Sequence, residues 1–324
     1  MNRFLIALSL LVGAVALQTN LVTVQQDASR KGSIESVATD SGKITVKSDV
    51  SFTFDWPLVQ MTHKTDDKSV YIVTYPEEYP GAVLYLLNEE TLALNYVWEN
   101  ISFSFFDLQY SSKQSTLYGI YVSSTYGRVL SNFTAKQDTN ELLVNQLFTL
   151  PYMWYVNASS FHAPTCHYYA LINNFPGKEN STLDQQLVVA DFSVDASVAA
   201  PEVHVLPVSN PNGIVQFIAY SDSQSSLYYA GMVFNSTTVE LGLLDTDTGK
   251  IKEQLWTHDA VAVGPLVVSE ANSELLLFVK SASVADSWDL WALPFHAKLL
   301  NRARVIQSYT GKQYAFFAAA VATA

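Results

Sequence analysis

One turn sequence recurs along the chain at a regular interval. Residues 39–44 read Thr-Asp-Ser-Gly-Lys-Ile, and residues 246–251 repeat them with a single Ser-to-Thr change. A looser pair is formed by residues 86–92 and 243–249. The offsets of 207 and 157 residues correspond to four and three repeats of about 52 residues. A repeat of this length restricts the chain to a few architectures, because each repeat must bury its apolar face against its neighbours.

A second marker has a similar period. Runs rich in Val, Ile, Tyr, Phe and Leu, separated by Ser, Asn, Asp, Gly and Pro, are typical of β-strands. Within these runs the same place is taken by Tyr71, Tyr118, Tyr169, Tyr228 and Leu276, with gaps of 47, 51, 59 and 48 residues. Two stretches, residues 139–148 and 296–305, contain helix formers but lack helical periodicity, so we interpret both as strands.

The two markers together predict an all-β fold, a six-bladed β-propeller, with seven blades as the alternative. Repeats of 40 to 50 residues that hold four short strands are typical of propeller blades. Residues 17–56 and 312–324 are then expected to share the sixth blade, because a free seam would expose sheet edges. Five blades are expected at residues 57–100, 101–150, 151–210, 211–259 and 260–311.

The apolar C-terminus fits the closing strand of that shared blade. Phe316, Phe317 and Val321 are then core residues, since a strand buried on both faces has a continuous apolar sequence. The alternative is the hydrophobic tail of a lipid-anchor signal, which requires a polar spacer before the tail.

The hairpin at residues 244–250, Leu-Asp-Thr-Asp-Thr-Gly-Lys, resembles the YVTN/quinoprotein-type propeller repeat. In that family a β run ends in an Asp-x-x-Thr-Gly hairpin. The resemblance covers about one hairpin in each of three blades and implies the architecture rather than an activity. The copy at residues 86–92 departs from it, because Leu92 replaces Gly249.

The first residues predict export. A basic head, an apolar run from Phe4 to Ala16 and an Ala-x-Ala site are the features of a secretory signal peptide. We therefore expect residues 1–16 to be removed and residues 17–324 to form one propeller domain that is secreted to the extracellular space. Five Asn-x-Ser/Thr sequons are candidate glycosylation sites in such a protein: Asn100, Asn132, Asn157, Asn180 and Asn235.

Charge and cysteine content exclude several classes of partner. The net charge is −12 and only 15% of residues are charged, which argues against nucleic acid and anionic membrane surfaces as partners. No segment of the sequence is long and apolar enough for a transmembrane helix. The single cysteine, Cys166, excludes an intrachain disulfide.

Two local clusters contain candidate metal ligands. The run Asp245–Gly249 resembles half of a calcium loop, but Trp256 stands where the bidentate Glu of an EF-hand belongs. We interpret it as a hairpin turn, which needs the same residues. His162, Cys166 and His167 could bind a soft metal, whereas an inert buried thiol is the simpler interpretation, and an interchain disulfide is the third.

Carboxylate pairs and aromatic clusters are the remaining candidates. The acidic pairs at residues 66–67, 77–78 and 89–90 lie near turn residues, so we expect solvated charges. The aromatic residues Tyr152, Trp154 and Tyr155, together with Trp288 and Trp291, could form ligand platforms or plain packing.

The leading functional hypothesis is therefore a non-catalytic scaffold that binds an extracellular protein or glycan. No local catalytic motif is present, so we assign no catalytic, metal or cofactor-binding residue and no cofactor. The alternative is a metal-dependent propeller hydrolase that resembles the gluconolactonase and strictosidine-synthase type, with its site in the central channel. A quinone-dependent dehydrogenase is disfavoured, because it would need several cations in that channel.

Overall fold

The computed structural model describes residues 19–27, 31–53, 60–64, 68–74, 82–101, 107–123, 127–136, 141–150, 154–174, 184–193, 201–296, 301–310 and 313–322. Within these residues the chain forms 23 β-strands and one short 3-10 turn at Asn301 and Arg302. The all-β prediction is confirmed. No helix in the described part of the chain is long and apolar enough to cross a membrane.

Successive strands pair antiparallel in sheets that follow the chain order. The first strands are β1 (Thr19–Asp27), β2 (Lys31–Ala38) and β3 (Ile44–Thr53). The next sheet contains β4 (Gln60–Lys64), β5 (Ser69–Thr74), β6 (Ala82–Asn88) and β7 (Leu94–Ile101). It is followed by β8 (Gln109–Ser111), β9 (Thr116–Ser123), β10 (Gly127–Lys136) and β11 (Glu141–Thr149). A further sheet contains β12 (Trp154–His162), β13 (His167–Asn174), β14 (Asp184–Asp191) and β15 (Glu202–Pro207).

The remaining strands form one seven-stranded sheet and a closing strand. The sheet contains β16 (Gly213–Ser221), β17 (Ser226–Val233), β18 (Thr238–Leu244), β19 (Ile251–Ser269), β20 (Glu274–Ser281), β21 (Ser287–Pro294) and β22 (Arg304–Thr310). The closing strand is β23 (Gln313–Ala322).

Strand β19 explains why the sheets do not divide as predicted. Its first part, up to Asp259, pairs with β18, and its second part, from Ala260, pairs with β20. The boundary expected between residues 259 and 260 therefore lies inside a continuous strand. Four four-stranded sheets and one seven-stranded sheet do not by themselves confirm a count of six blades.

The two ends of the chain meet in one sheet, as predicted. Strand β23 pairs antiparallel with β1, with Asn20 opposite Val321 and Val24 opposite Phe317. The sheet order is β23-β1-β2-β3, so no seam is left open at the termini. The side chains of Phe316, Phe317 and Val321, predicted as core residues, lie outside the described part of the structure.

The innermost strands form a closed ring. Strand β4 contacts β8, β8 contacts β12, β12 contacts β16, β16 contacts β19, β19 contacts β23, and β23 contacts β4. Strands β5, β9, β13 and β17 are each second from the inner edge of their sheet, and β20 follows β19 in the seven-stranded sheet; all five are largely buried on both faces. This propeller-like arrangement brings the edges of the inner strands together around one axis.

Strand β13 illustrates how the sequence builds the core between sheets. Tyr168 and Ala170 point into the cluster shared with β9 and β10, whereas Tyr169 and Leu171 point into the cluster shared with β16–β18. Alternate residues of a strand face opposite sides, so a strand packed between two sheets must be apolar throughout.

The recurring turn is a backbone hairpin. Gly42 N–H donates to Ala38 O at 2.8 Å, Leu92 N–H to Asn88 O at 2.9 Å, and Gly249 N–H to Asp245 O at 2.9 Å. The donating residue has a positive φ each time: 69° at Gly42, 54° at Leu92 and 71° at Gly249. The turn interpretation is therefore confirmed, and glycine suits two of the copies because it adopts this φ without strain.

The two stretches with helix formers have different outcomes. Residues 141–148 lie within β11, which confirms the strand prediction. In residues 296–305 the prediction is wrong for Asn301 and Arg302, which form the 3-10 turn, and strand begins only at Arg304. Residues 297–300 lie outside the described part.

Candidate functional site

A cleft opens where five of the inner strands converge. Its volume is about 280 Å³ and its walls come from β4, β8, β12, β16 and β19. The polar and aromatic groups that line it are Thr62, His63, Gln109, Tyr110, Ser159, Ser160, Tyr220 and Asp222. These side chains come from segments that are far apart in the sequence. The cleft therefore forms only when the inner strands close into a ring.

Side-chain hydrogen bonds join neighbouring inner strands beside the cleft. Tyr110 N–H donates to Thr62 Oγ1 at 3.1 Å, and Gln109 Nε2 donates to Ser159 Oγ at 2.7 Å. Tyr220 N–H donates to Ser160 Oγ at 2.8 Å. Among the described residues, these neighbouring sheets share no ladder of backbone hydrogen bonds. The side-chain bonds take its place and hold the walls of the cleft in register.

Asp222 is the exposed acid of the cleft. It opens the turn between β16 and β17, and its backbone N–H donates to Glu270 Oε1 at 2.6 Å. Ser223 Oγ donates to the other oxygen of Glu270 at 2.5 Å, which ties this turn to the turn after β19. Burial, together with the nearby charge of Glu270, raises the pKa of Asp222 to about 6.

His162 faces this acid across the cleft rim. Its Nε2 lies 3.5 Å from Asp222 Oδ1, and its ring lies 4.3 Å from the Tyr220 ring, centroid to centroid. Burial and the proximity of His167 lower the pKa of His162, so the imidazole is neutral at pH 7. The rim therefore presents a carboxylate, a neutral imidazole and a phenol within one small area.

A buried acid supports the opposite wall. Asp107 is 3% exposed and accepts hydrogen bonds from the hydroxyls of Ser159 and Tyr168. Burial raises the pKa of Asp107 to about 6, although the two donors oppose the rise. Since Ser159 in turn accepts from Gln109, this chain of bonds fixes the orientation of two lining side chains.

Residues His162 to His167 form the hairpin turn that joins β12 to β13. Cys166 is buried, with φ 57° at the end of the turn between β12 and β13, and its thiol lies 3.7 Å from Ala163 O. Among the described residues no three His, Cys, Asp or Glu side chains are grouped closely enough to hold a metal ion.

The acidic pair at residues 89–90 corrects one expectation. Glu89 is only 3% exposed, and its Oε1 lies 2.8 Å from His63 Nε2, so it is not a solvated charge. Glu90 is exposed and bonds Lys68 at 2.6 Å, as expected for a surface acid. The turn copy at residues 88–92 folds back against β4, which brings Glu89 under the cleft. The pairs at 66–67 and 77–78 lie outside the described residues.

Two of the aromatic candidates, Trp288 and Trp291, have side chains in the described part of the structure. Trp288 is 8% exposed and belongs to a core cluster, whereas Trp291 is half-buried beside Trp256. Tyr152 and the side chains of Trp154 and Tyr155 lie outside the described part. None of the described members of this set lines the cleft.

The sequons have different surroundings. Asn235 lies in an exposed turn with φ 55°, and Asn132 is half-buried in β10. Asn100 and Asn157 lie on β7 and β12 with side chains that are not described, and Asn180 lies outside the described residues.

A second repeat could have indicated the rim. Residues 110–118 read Tyr-Ser-Ser-Lys-Gln-Ser-Thr-Leu-Tyr, and residues 220–228 read Tyr-Ser-Asp-Ser-Gln-Ser-Ser-Leu-Tyr. Each contains the turn from the first to the second strand of a sheet, and Ser115 and Ser225 take the same positive φ. The alignment of the two segments places Asp222 in the turn between the first two strands of its sheet, and this turn lies at the rim of the cleft. Glu270 and His162 have no counterpart in this repeat.

The comparisons with known proteins support the fold. No family model matches the chain, and no curated protein matches it in sequence. Among solved structures, the nidogen/laminin complex matches with a TM-score of 0.59 at 10% identity, covering 93% of this chain and 98% of that one. The periplasmic gluconolactonase PpgL of Pseudomonas aeruginosa matches at 0.54 and 12%, covering 94% and 99%. The lectin SapL1, solved with α-methyl fucoside, matches at 0.53 and 10%, covering 91% and 98%.

The chain is a β-propeller. Its structural neighbours are β-propeller proteins, which supports the architecture that the hairpin repeat predicts. At these identities the likeness extends to the fold alone.

Proposed function

We propose that this protein is a secreted six-bladed β-propeller that binds a glycan in its inner cleft without catalysing a reaction. The count of six rests on the closed ring of inner strands β4, β8, β12, β16, β19 and β23. It also rests on β19, which would be the last strand of one blade and the first of the next.

The observation that carries the ligand class is the convergence of short polar groups with an aromatic ring. Hydroxyls of Thr62 and Ser160, the amide of Gln109 and the carboxylate of Asp222 line the same cleft as Tyr220. Sugar hydroxyls both donate and accept hydrogen bonds, and sugar C–H faces pack on aromatic rings. A small cleft with both kinds of group therefore favours a glycan over a broad protein surface, which would need a larger interface.

The metal-dependent hydrolase has no support in the described part of the chain. That mechanism needs several oxygen or nitrogen ligands converging on one ion. His63, His162 and Asp222 line or rim the cleft, but no three such groups form a metal-binding cluster among the described residues.

Binding to a glycan array tests the central proposal. The purified, fluorescently labelled protein should bind at least one class of glycan, and Asp222→Asn should weaken that binding about tenfold. The matched control is Glu253→Gln, because Glu253 is an exposed acid on β19 outside the cleft. Absence of binding to any glycan, or equal binding by D222N and the parent, contradicts the proposal.

Secretion and glycosylation are separate parts of the proposal with their own test. The full chain, expressed in a secreting eukaryotic cell, should appear in the medium with Leu17 as its first residue. Treatment with peptide N-glycosidase should then increase its electrophoretic mobility. Retention in the cell with Met1 intact would contradict secretion, and an unchanged mobility would contradict glycosylation.

A further inference from the structure

A second cavity lies on the other side of the β12–β13 hairpin. Its volume is about 360 Å³, and it lies between strands β13–β15 and the turn that joins β18 to β19. The residues that line it include His167, Tyr169, Val189, His204, Leu206 and Asp247. None of these residues lines the inner cleft, so this cavity is distinct from the proposed glycan site.

The turn that closes the cavity is anchored. Ser209 N–H donates to Gly249 O at 3.3 Å, and Ser209 forms an isolated parallel bridge with Lys250. A Cβ added at Gly249 would lie 2.5 Å from Pro207 O, so only glycine allows the turn to approach so closely. Asp247 is therefore held over the cavity by the fold rather than by a free loop.

Hydrogen bonds within the hairpin link His162, Thr165 and His167. His162 Nε2 lies 3.5 Å from Asp222 Oδ1, and an ionised carboxylate there favours the tautomer of neutral His162 with its proton on Nε2. Its Nδ1 must then accept the Thr165 hydroxyl, 2.5 Å away. The Thr165 oxygen in turn accepts from His167 Nδ1–H at 2.7 Å. In the neutral form of His167 with its proton on Nδ1, Nε2 is an acceptor to which no described residue donates.

The cavity thus combines acceptors, donors and an apolar floor. His167 Nε2 and the Asp247 carboxylate accept hydrogen bonds, whereas burial raises the pKa of Tyr169 and keeps its hydroxyl a donor. His204 Nε2 lies 3.0 Å from Glu202, and Val189 and Leu206 supply aliphatic contact. An ammonium ligand would use only the acceptors, whereas a sugar uses all three kinds of group.

We propose that this cavity is a second binding site for a single neutral sugar residue. The sugar hydroxyls donate to His167 Nε2 and Asp247 and accept from Tyr169, while its C–H face lies on Val189 and Leu206. Thr165 is a positioning residue, because it holds the His167 tautomer and lies outside the residues that line the cavity.

A stack of rings separates this site from the inner cleft. Tyr169 stacks on Tyr220 at 5.1 Å and 4°, and His167 stacks on Tyr169 at 6.3 Å and 18°. His162 completes the stack on the cleft side. Occupation of the two sites can therefore be followed separately, through different residues.

Selective labelling of the six histidines with ¹⁵N makes the test direct. Methyl α-mannoside, methyl β-galactoside, methyl α-fucoside and N-acetylglucosamine are each titrated to about 50 mM, a range that detects millimolar affinity. We expect at least one sugar to shift the imidazole signals of His167 and His204. Asp247→Asn should weaken that binding about tenfold, and Leu206→Trp, which fills the cavity, should abolish it.

The position of the proton on the His167 ring is a second readout, and it would not change if Thr165 had only a structural role. In the parent protein His167 should carry its proton on Nδ1. Thr165→Val should release that tautomer and weaken the sugar several-fold, whereas Thr165→Ser should restore both. Circular dichroism of each variant confirms that it is folded.

Two results would overturn the site. One is that no sugar in the panel shifts His167 or His204, and the other is that L206W binds as the parent does. Unchanged affinity and tautomer in T165V would remove Thr165 from the proposal. Failure of the inner cleft is recognised separately, because it is read from D222N on the glycan array.

Discussion

Asp107 and Asp222 are two acids with the same raised pKa, about 6, in opposite settings. Asp107 is buried between β8 and the next sheet and accepts from two hydroxyls. The Asp222 side chain is 42% exposed at the cleft rim and is opposed by Glu270. A perturbed pKa therefore does not identify a binding group, since the same rise in pKa occurs at a buried structural acid and at an acid on an open rim.

The largest expected effect is a difference in the free energy of unfolding between variants of the two acids. Asp107→Ala leaves the hydroxyls of Ser159 and Tyr168 buried without their acceptor, so it should lower the free energy of unfolding by about 3 kcal/mol. Asp222→Ala should change it little, because water replaces the lost contacts. Urea unfolding of both variants measures the difference, and equal losses would show that the two acids do not differ as described.

The next effect is a dependence of stability on pH. The folded pKa of Asp107 is raised from 3.8 to about 6, so its contribution is fully present below pH 4 and is lost as pH rises through 6. The stability of the parent relative to Asp107→Asn should therefore fall by about 2 kcal/mol between pH 4 and pH 7.

Unfolding curves at pH 4, 5, 6 and 7 measure this change for both proteins. Asp222→Asn is the matched variant and should show a smaller change of the same sign, because its exposed carboxylate is screened by water. Asp191 and Asp245, whose pKa values are lowered, act in the opposite direction but cancel in the comparison with each variant. A parent-to-D107N difference that is constant with pH would contradict the raised pKa.

Removal of a single tyrosine hydroxyl near each acid should give the same difference in unfolding free energy, with smaller values. Tyr168→Phe deletes a buried donor to Asp107 and should cost about 1 kcal/mol of unfolding free energy. Tyr220→Phe deletes a phenol at the half-buried rim and should leave stability nearly unchanged, while weakening the glycan proposed for the cleft. Parallel thermal unfolding and array binding separate the two; a loss of stability only in Y220F would reverse the assignment.

The smallest effect concerns the turns that follow these strands. Ser115 and Ser225 hold φ values of 49° and 47°, which are unfavourable for residues with a Cβ. Glycine at either position should stabilise the fold by up to about 0.5 kcal/mol, because relief of strain slightly exceeds the added flexibility of the unfolded chain. Calorimetry of both variants measures this, and destabilisation by either one would mean that the serine contacts outweigh the strain.

Much of the fold could be predicted because its signals are local. The hairpin at residues 244–250 was identified from its Asp, Thr and Gly residues alone, and β13 and β20 were visible as apolar runs. The predicted boundary at residues 259–260 coincides with the change of partner in β19, from β18 to β20, although the strand itself continues through it. No local feature of residues 256–264 distinguishes a link between strands from a strand.

The candidate site was much less predictable. From the sequence, His162 and His167 are only candidate metal ligands beside the simpler interpretation of an inert buried thiol, whereas in the structure both rings contact the Thr165 hydroxyl. Asp222, Glu270 and the buried Glu89 were not singled out as site residues. Each acquires its partner from another turn or strand, for example Asp222 from Glu270, which is 48 residues away.

The sequence by itself determined the strand content, the repeat of about 52 residues and the turns, because side-chain alternation and turn chemistry act over only a few residues. It also carried the information for closure, in an apolar C-terminal strand that pairs with β1. The tertiary structure alone decided which turns share a rim, which acids are buried and which cavity His167 lines. Those properties are distances between residues on different sheets, and such distances exist only after the ring of inner strands has closed.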